Sequence, residues 1–136
     1  MFEDDYKDHA WVNFDVLEKF MTDCLVCSGV PHQDATIIAD VLIESDKRGI
    51  DSHGIGRLKP IYLDRIEMGI LNPTTQIDVI ADKKATAVLD ANNGMGHVAG
   101  VNAMKMAIEK AREYGIGMVA VRNSSHYGIA GYYTTM

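Results

Sequence analysis

The stretch TAVLDANNGMGHVAGVNAMKMAIEKAREYGIGMVAV, residues 86–121, decides the fold class. Thr86 to Asp90 reads as a short strand, and Asn92-Asn93-Gly94-Met95-Gly96 as a loop. His97 to Tyr114 has the length and periodicity of a long helix, stopped by Gly115, and Gly117 to Val121 reads as a buried strand. Strand, helix and strand in that order predict a crossover unit of an α/β sheet. One such unit is a poor sheet, because three or more strands, usually with both faces covered, are needed to bury it. The sequence runs on through Asn123-Ser124-Ser125-His126-Tyr127-Gly128, begins another helix at Ile129 and stops at Met136 without an ending signal. The chain is therefore expected to be truncated, with further strands lying downstream.

Upstream of residue 86 the texture changes. Ile77 to Ala81 reads as one more strand, joined to Thr86–Asp90 by the polar turn Asp82-Lys83-Lys84. Before Thr75 the pattern is helical. Phe14 to Ser28 carries Val16, Leu17, Phe20, Met21, Cys24 and Leu25 at helical spacing, with Asn13 as N-cap and Gly29 as stop. Asp34 to Arg48 repeats the pattern with Ile37, Ile38, Val41 and Leu42 and ends at Gly49. A third helix is expected from about Ile55 to Met68, with Leu58, Ile61, Tyr62, Arg65 and Ile66 at helical spacing and Gly69 ahead of Asn72-Pro73. Two regions follow: helices over 1–75, and the first part of an α/β domain over 76–136.

Composition narrows the function classes. With 136 residues, 47% hydrophobic and 24% charged, the chain has the balance of a soluble globular protein. A net charge of -6 with scattered Lys and Arg gives no footprint for nucleic acid. No apolar run reaches the roughly 18 to 20 residues that span a bilayer, and the first thirteen residues lack the basic and apolar regions of a secretory signal. A cytoplasmic protein is expected. Cys24 and Cys27 form a C-x-x-C inside a helical pattern, without a second ligand pair or a preceding strand, and read as structural thiols.

The densest polar cluster is Asp51-Ser52-His53-Gly54-Ile55-Gly56-Arg57. If it opens the third helix, His53 and Arg57 stand four residues apart on one face. Histidine can give and take a proton near neutral pH, and the planar guanidinium can grip a carboxylate with two hydrogen bonds. Such a pair suits reduction of a 2-oxo acid, whose oxygen must receive a proton while the neighbouring carboxylate is held. The same residues have a plainer reading, in which Ser52 caps a helix, His53 bonds a backbone carbonyl and Arg57 solvates a face. The second cluster, Asn123 to Gly128, follows a strand and leads into a helix, a common place for a cofactor or for a simple capped turn.

Gly94-Met95-Gly96-His97-Val98-Ala99-Gly100 approaches the spacing of a dinucleotide fingerprint. Several residues separate it from the strand, however, and Arg122 stands where an acid would follow the next strand, so a Rossmann loop is not expected. His97 reads as a first-turn residue, His9 and His32 as solvated, and Glu44 and Asp46 as a solvated helix face. No residues at ligand spacing suggest a metal.

The run Arg48-Gly-Ile-Asp-Ser-His-Gly-Ile-Gly-Arg-Leu-Lys-Pro-Ile-Tyr-Leu63, taken with Val121-Arg-Asn-Ser-Ser-His-Tyr-Gly128, resembles the type 2 malate/L-lactate dehydrogenase family. That family includes sulfolactate, ureidoglycolate and diketogulonate dehydrogenases and cyclic imino-acid reductases. The resemblance covers the chain from about Phe14, including Asn93-Gly94-Met95-Gly96-His97. It implies N-terminal helices followed by a non-Rossmann cofactor domain on a mixed sheet, an NAD- or NADP-dependent reaction of a 2-hydroxy or 2-oxo acid, and a homodimer. It further implies that His53 is the proton donor or acceptor, Ser52 its relay partner and Arg57 a substrate-carboxylate ligand. His126, Tyr127, Gly128, Ile129 and Ala130 would line the nicotinamide cofactor. Family members are more than twice this length, so little or no turnover is expected of these residues alone. A second class stays open: a non-catalytic helical and α/β interaction module derived from such an enzyme. Neither motif separates malate from lactate or sulfolactate, or NAD from NADP.

Overall fold

A computed structural model of the chain describes residues 11–136, so the expectations for His9 and the first ten residues lie outside it. Helix α1 spans Phe14–Cys27, and Asn13 caps it by accepting the Asp15 N–H at 2.8 Å. Helix α2 spans His32–Lys47. The two pack along Met21 and Leu25 of α1 and Ile38, Leu42 and Ile43 of α2, all fully buried. Truncating any of these large side chains to Ala would cost about 2–5 kcal/mol. Val16 and Phe20, on the other flank of α1, are more than half exposed. Cys24 and Cys27 are free thiols on the same helix.

The expected third helix is broken into four pieces. Two 3₁₀ turns, Asp51–His53 and Ile55–Arg57, lead into a π-helical stretch, Leu58–Leu63, and only then into the short helix α3, Asp64–Glu67. Pro60 gives the reason. It has no N–H to donate in a helix interior, and its ring would collide with the carbonyl four residues back, so the backbone widens around it. His53 and Arg57 therefore do not share an α-helical face.

Asp46 corrects a second expectation. It does not lie on a solvated face but turns inward, accepting the Ile55 N–H at 2.9 Å. Burial pushes its carboxyl above the usual range, opposed by that hydrogen bond. A Cβ on Gly54 would stand 1.7 Å from an Asp46 carboxylate oxygen, so any larger residue would displace that carboxylate from the Ile55 N–H. Glu44 is half-buried and pairs with Arg48 at 2.8 Å.

Strands β1 (Asp78–Asp82), β2 (Thr86–Asp90) and β3 (Met118–Arg122) form one sheet in the order β1-β2-β3. The first pair is antiparallel and the second parallel, which makes the sheet mixed as expected. Helix α4, Gly96–Tyr114, crosses between β2 and β3 and ends at Gly115 with φ +81°. Helix α5 spans Ala130–Thr134. The expected burial of β3 is not met: it is an edge strand with alternating exposure, and Met118 is 61% exposed. Where β2 and β3 end, Asp90 accepts from Asn92 N–H, Arg122 Nε and Asn123 Nδ2 at 2.7–2.9 Å, binding the 91–95 and 123–128 loops together. Among the described residues no helix is long and apolar enough to cross a membrane.

Candidate active site

The two polar clusters, about seventy residues apart in sequence, meet in space. His53 sits at the end of the first 3₁₀ turn, where its own N–H bonds the Ile50 carbonyl and the Asp46–Ile55 contact closes the loop behind it. Its Nδ1 lies 2.9 Å from Ser52 Oγ. The His126 ring stacks across from it at 5.6 Å between centroids, with 29° between planes. Arg57 reaches back through its Nε to the Ser52 carbonyl, which leaves both terminal nitrogens of its guanidinium uncommitted among the described residues.

Behind His126 lies a part of the site that the sequence reading missed. Tyr62, fully buried, places its hydroxyl 2.7 Å from His126 Nδ1 and 3.1 Å from His97 Nε2. His97 is indeed in the first turn of α4, as expected, yet it too is fully buried. Burial pushes its imidazole down to about 3, with His126 contributing, so the ring is neutral. His126 is likewise held below the usual histidine range, by burial first and then by His53, Arg57 and Arg65. Tyr62 is raised by burial, so its hydroxyl keeps its proton. In the sequence Tyr62 shows only the apolar spacing of a helix; the signal that it does more is Pro60, which interrupts that helix ahead of it.

The 123–130 segment has two sides. Gly128 (φ +78°) and Ile129 are buried, and the Gly128 N–H reaches His126 Nδ1 at 3.2 Å. On the other side Ser124, Ser125, Tyr127 and Ala130, with Met104 and Tyr133, line an open cavity of about 690 Å³. Of the sequence-predicted residues, Ser52, His53, Arg57 and His126 thus come together, while Tyr127 and Ala130 face this neighbouring cavity.

The glycines of the fingerprint-like run serve the protein's own packing. A Cβ would stand 3.0 Å from the Ala91 carbonyl at Gly94, 2.3 Å from the Ser125 carbonyl at Gly96 and 2.7 Å from the Tyr133 ring at Gly100. Arg122, found in place of an acid, is the partner of Asp90.

Residues 12–136 match the family described as malate/L-lactate dehydrogenase. A malate dehydrogenase of Pyrococcus abyssi is 51% identical over the whole chain, and an L-sulfolactate dehydrogenase of Methanocaldococcus jannaschii is 45% identical over 88% of it. The solved structure of malate dehydrogenase from Pyrococcus horikoshii superposes on 96% of the chain with a TM-score of 0.92 and 45% identity. In each case the chain spans little more than a third of the relative: 38%, 34% and 37% respectively.

Proposed function

The chain belongs to the malate/L-lactate dehydrogenase family, and from that premise we propose that it carries the proton-transfer and carboxylate-binding side chains of an NAD(P)-dependent oxidoreductase of a small 2-hydroxy or 2-oxo acid such as malate or lactate. The observation that supports this most is the convergence of Ser52, His53 and Arg57 on His126.

The bound nicotinamide would supply or accept the hydride at the substrate carbon. The chain's own residues handle the rest. His53 gives a proton to the substrate oxygen in reduction and takes it back in oxidation, the task for which an imidazole is suited near neutral pH. Ser52 Oγ, at 2.9 Å from Nδ1, holds the ring so that the other nitrogen does this work. Arg57 offers its two terminal nitrogens to the substrate carboxylate, its Nε being engaged by the Ser52 carbonyl. One guanidinium thus ties the carboxylate to the residue that neighbours the acid-base group.

The cavity beside the 123–130 segment fits a nicotinamide cofactor in size and character. At about 690 Å³ it lies within the range of small-molecule sites, and its apolar wall is interrupted by Ser124, Ser125 and Tyr127. Tyr127 and Ala130 would touch the cofactor, and His126 would stand between it and His53. Gly128 and Ile129 would act from below the surface, by shaping the backbone. In this reading the complete enzyme is cytoplasmic and homodimeric. The division near residue 75 then separates helices bearing the acid-base group from the start of the cofactor domain.

The test is a panel of 2-oxo acids with NADH and NADPH, following the absorbance of the reduced nicotinamide in the complete gene product and in residues 1–136 alone. Turnover is expected of the complete product, and His53→Ala should lower kcat by about two to four orders of magnitude with cofactor affinity nearly unchanged. Wild-type rates in that variant would remove His53 from its role. A complete gene product without turnover on any acid would favour the non-catalytic module.

A further inference from the structure

We propose that Tyr62 and His97 are positioning residues for His126: a buried relay of hydrogen bonds that fixes its ring in the Nε2–H tautomer and so presents that N–H to the site it shares with His53. The inference deepens the dehydrogenase reading and rests on it for its catalytic meaning, but the hydrogen-bond directions follow from geometry alone.

The direction is set at Gly128. A backbone N–H can only donate, so its 3.2 Å contact requires a lone pair on His126 Nδ1. The Tyr62 hydroxyl, 2.7 Å from the same nitrogen, must then donate its single proton there. Toward His97 it can only accept, so His97 Nε2 carries the proton across the 3.1 Å contact. A neutral imidazole has one N–H. The remaining nitrogen, His97 Nδ1, is then a bare lone pair, and it is the atom for which no partner is found among the buried side chains described. An orphaned acceptor is better tolerated than an orphaned donor, so the orphan agrees with the direction of the relay. Reversing the relay would set the Gly128 N–H against an Nδ1–H and would bury an unpartnered N–H on His97.

Three separate elements lock the arrangement. Tyr62 is carried by the π-helical stretch that Pro60 enforces, His97 by the first turn of α4, and His126 by the loop after β3. Gly128 completes it: its N–H turns back to His126, and a Cβ there would stand 2.7 Å from Val41 and 3.2 Å from the His97 ring. With both hydrogen bonds at Nδ1 supplied from within, His126 Nε2–H has no protein partner among the described residues and is available to a ligand.

The experiment reads His126 directly, by long-range nitrogen–proton correlation spectra of the complete gene product labelled with ¹⁵N-histidine. The wild type should give the single Nε2–H pattern for His126. In Tyr62→Phe the 2.7 Å contact is gone and only the longer 3.2 Å contact from Gly128 holds Nδ1 bare. A share of the Nδ1–H tautomer should then appear and the titration midpoint should rise by about half a unit or more, since a donor to the neutral ring has been removed. An Nδ1–H pattern in the wild type, or a wild-type pattern in Tyr62→Phe, would overturn the proposal. Where Tyr62→Phe fails to fold, His97→Gln and His97→Leu decide. The amide can still donate to Tyr62 and should keep the wild-type pattern, whereas the aliphatic chain should not; identical spectra from the pair would count against the relay. In turnover assays Tyr62→Phe should lower kcat about tenfold with KM for the 2-oxo acid little changed. Absence of turnover in the wild type would defeat the dehydrogenase reading, while the spectra would still accept or reject the relay.

Discussion

His97 is neutral because it is fully buried, one nitrogen bonds Tyr62 and the other has no partner among the described residues, so nothing there stabilises a second proton. This has a consequence for stability. The folded-state value of about 3 lies below the ordinary histidine value of 6.5. Between those limits the unfolded chain takes up a proton and the folded chain does not, so stability falls as the pH falls through that window. From pH 7 to pH 5 the loss from this residue is about 2 kcal/mol. His97→Gln keeps a donor toward Tyr62 and cannot titrate, so urea unfolding should show the wild type losing about 2 kcal/mol more than the variant over that interval. Equal losses would mean that His97 titrates normally in the fold. At this scale the sequence was uneven. Ser52, His53, Arg57 and His126 were legible because polar residues crowd together in short runs between apolar elements. Tyr62, His97 and Asp46 were not, since each sits in an ordinary helical pattern and takes its role from residues distant in sequence.

Among the elements, long regular ones were readable and the π-helical segment was not. Helices α1, α2 and α4 and strand β2 follow from periodicity and from their end signals, with Asn13 and Gly115 doing at the termini what their residue types suggest. The stretch from Asp51 to Glu67 has helical spacing of apolar residues, but spacing does not register the missing N–H of Pro60. Close approach between elements was hidden too. Gly96 opens α4 against the 123–128 loop, where its N–H bonds Ser125 Oγ at 2.9 Å and its Cα faces the Ser125 and His126 carbonyls. Gly96→Ala would press a methyl into backbone that cannot yield, and should cost about 1–3 kcal/mol while displacing His126. Gly56, whose nearest neighbour to an added Cβ is the Asp51 carbonyl at 3.8 Å, supplies the control. Gly56→Ala should stay within about 0.5 kcal/mol. Thermal unfolding of both variants makes the comparison, and similar losses would place the constraint elsewhere than at the α4 entrance.

At the scale of the whole molecule the decisive feature is the sheet, in which β2 has neighbours on both sides while, among the described residues, β1 and β3 each leave one edge unpaired. The expectation of a buried β3 came from its apolar composition, which describes the surroundings a strand is suited to and not those it has within 136 residues. Ile116 and Met118 are 69% and 61% exposed beside one edge, and Val79 and Ile80 are 54% and 47% exposed on the other. The cavity of about 690 Å³ between α4, β3 and the 124–133 segment opens on the same side as Met118. An unpaired edge flanked by apolar side chains is a template for association. Residues 1–136 expressed alone should therefore elute from size exclusion ahead of a monomer, increasingly so with concentration, and should bind a dye that reports exposed apolar surface. Replacing Ile116 and Met118 by Lys adds charge to the edge without touching the α1–α2 core, and should reduce both association and dye binding. A monodisperse wild-type monomer that unfolds cooperatively and binds no dye would mean that three strands and one covering helix already satisfy this sheet.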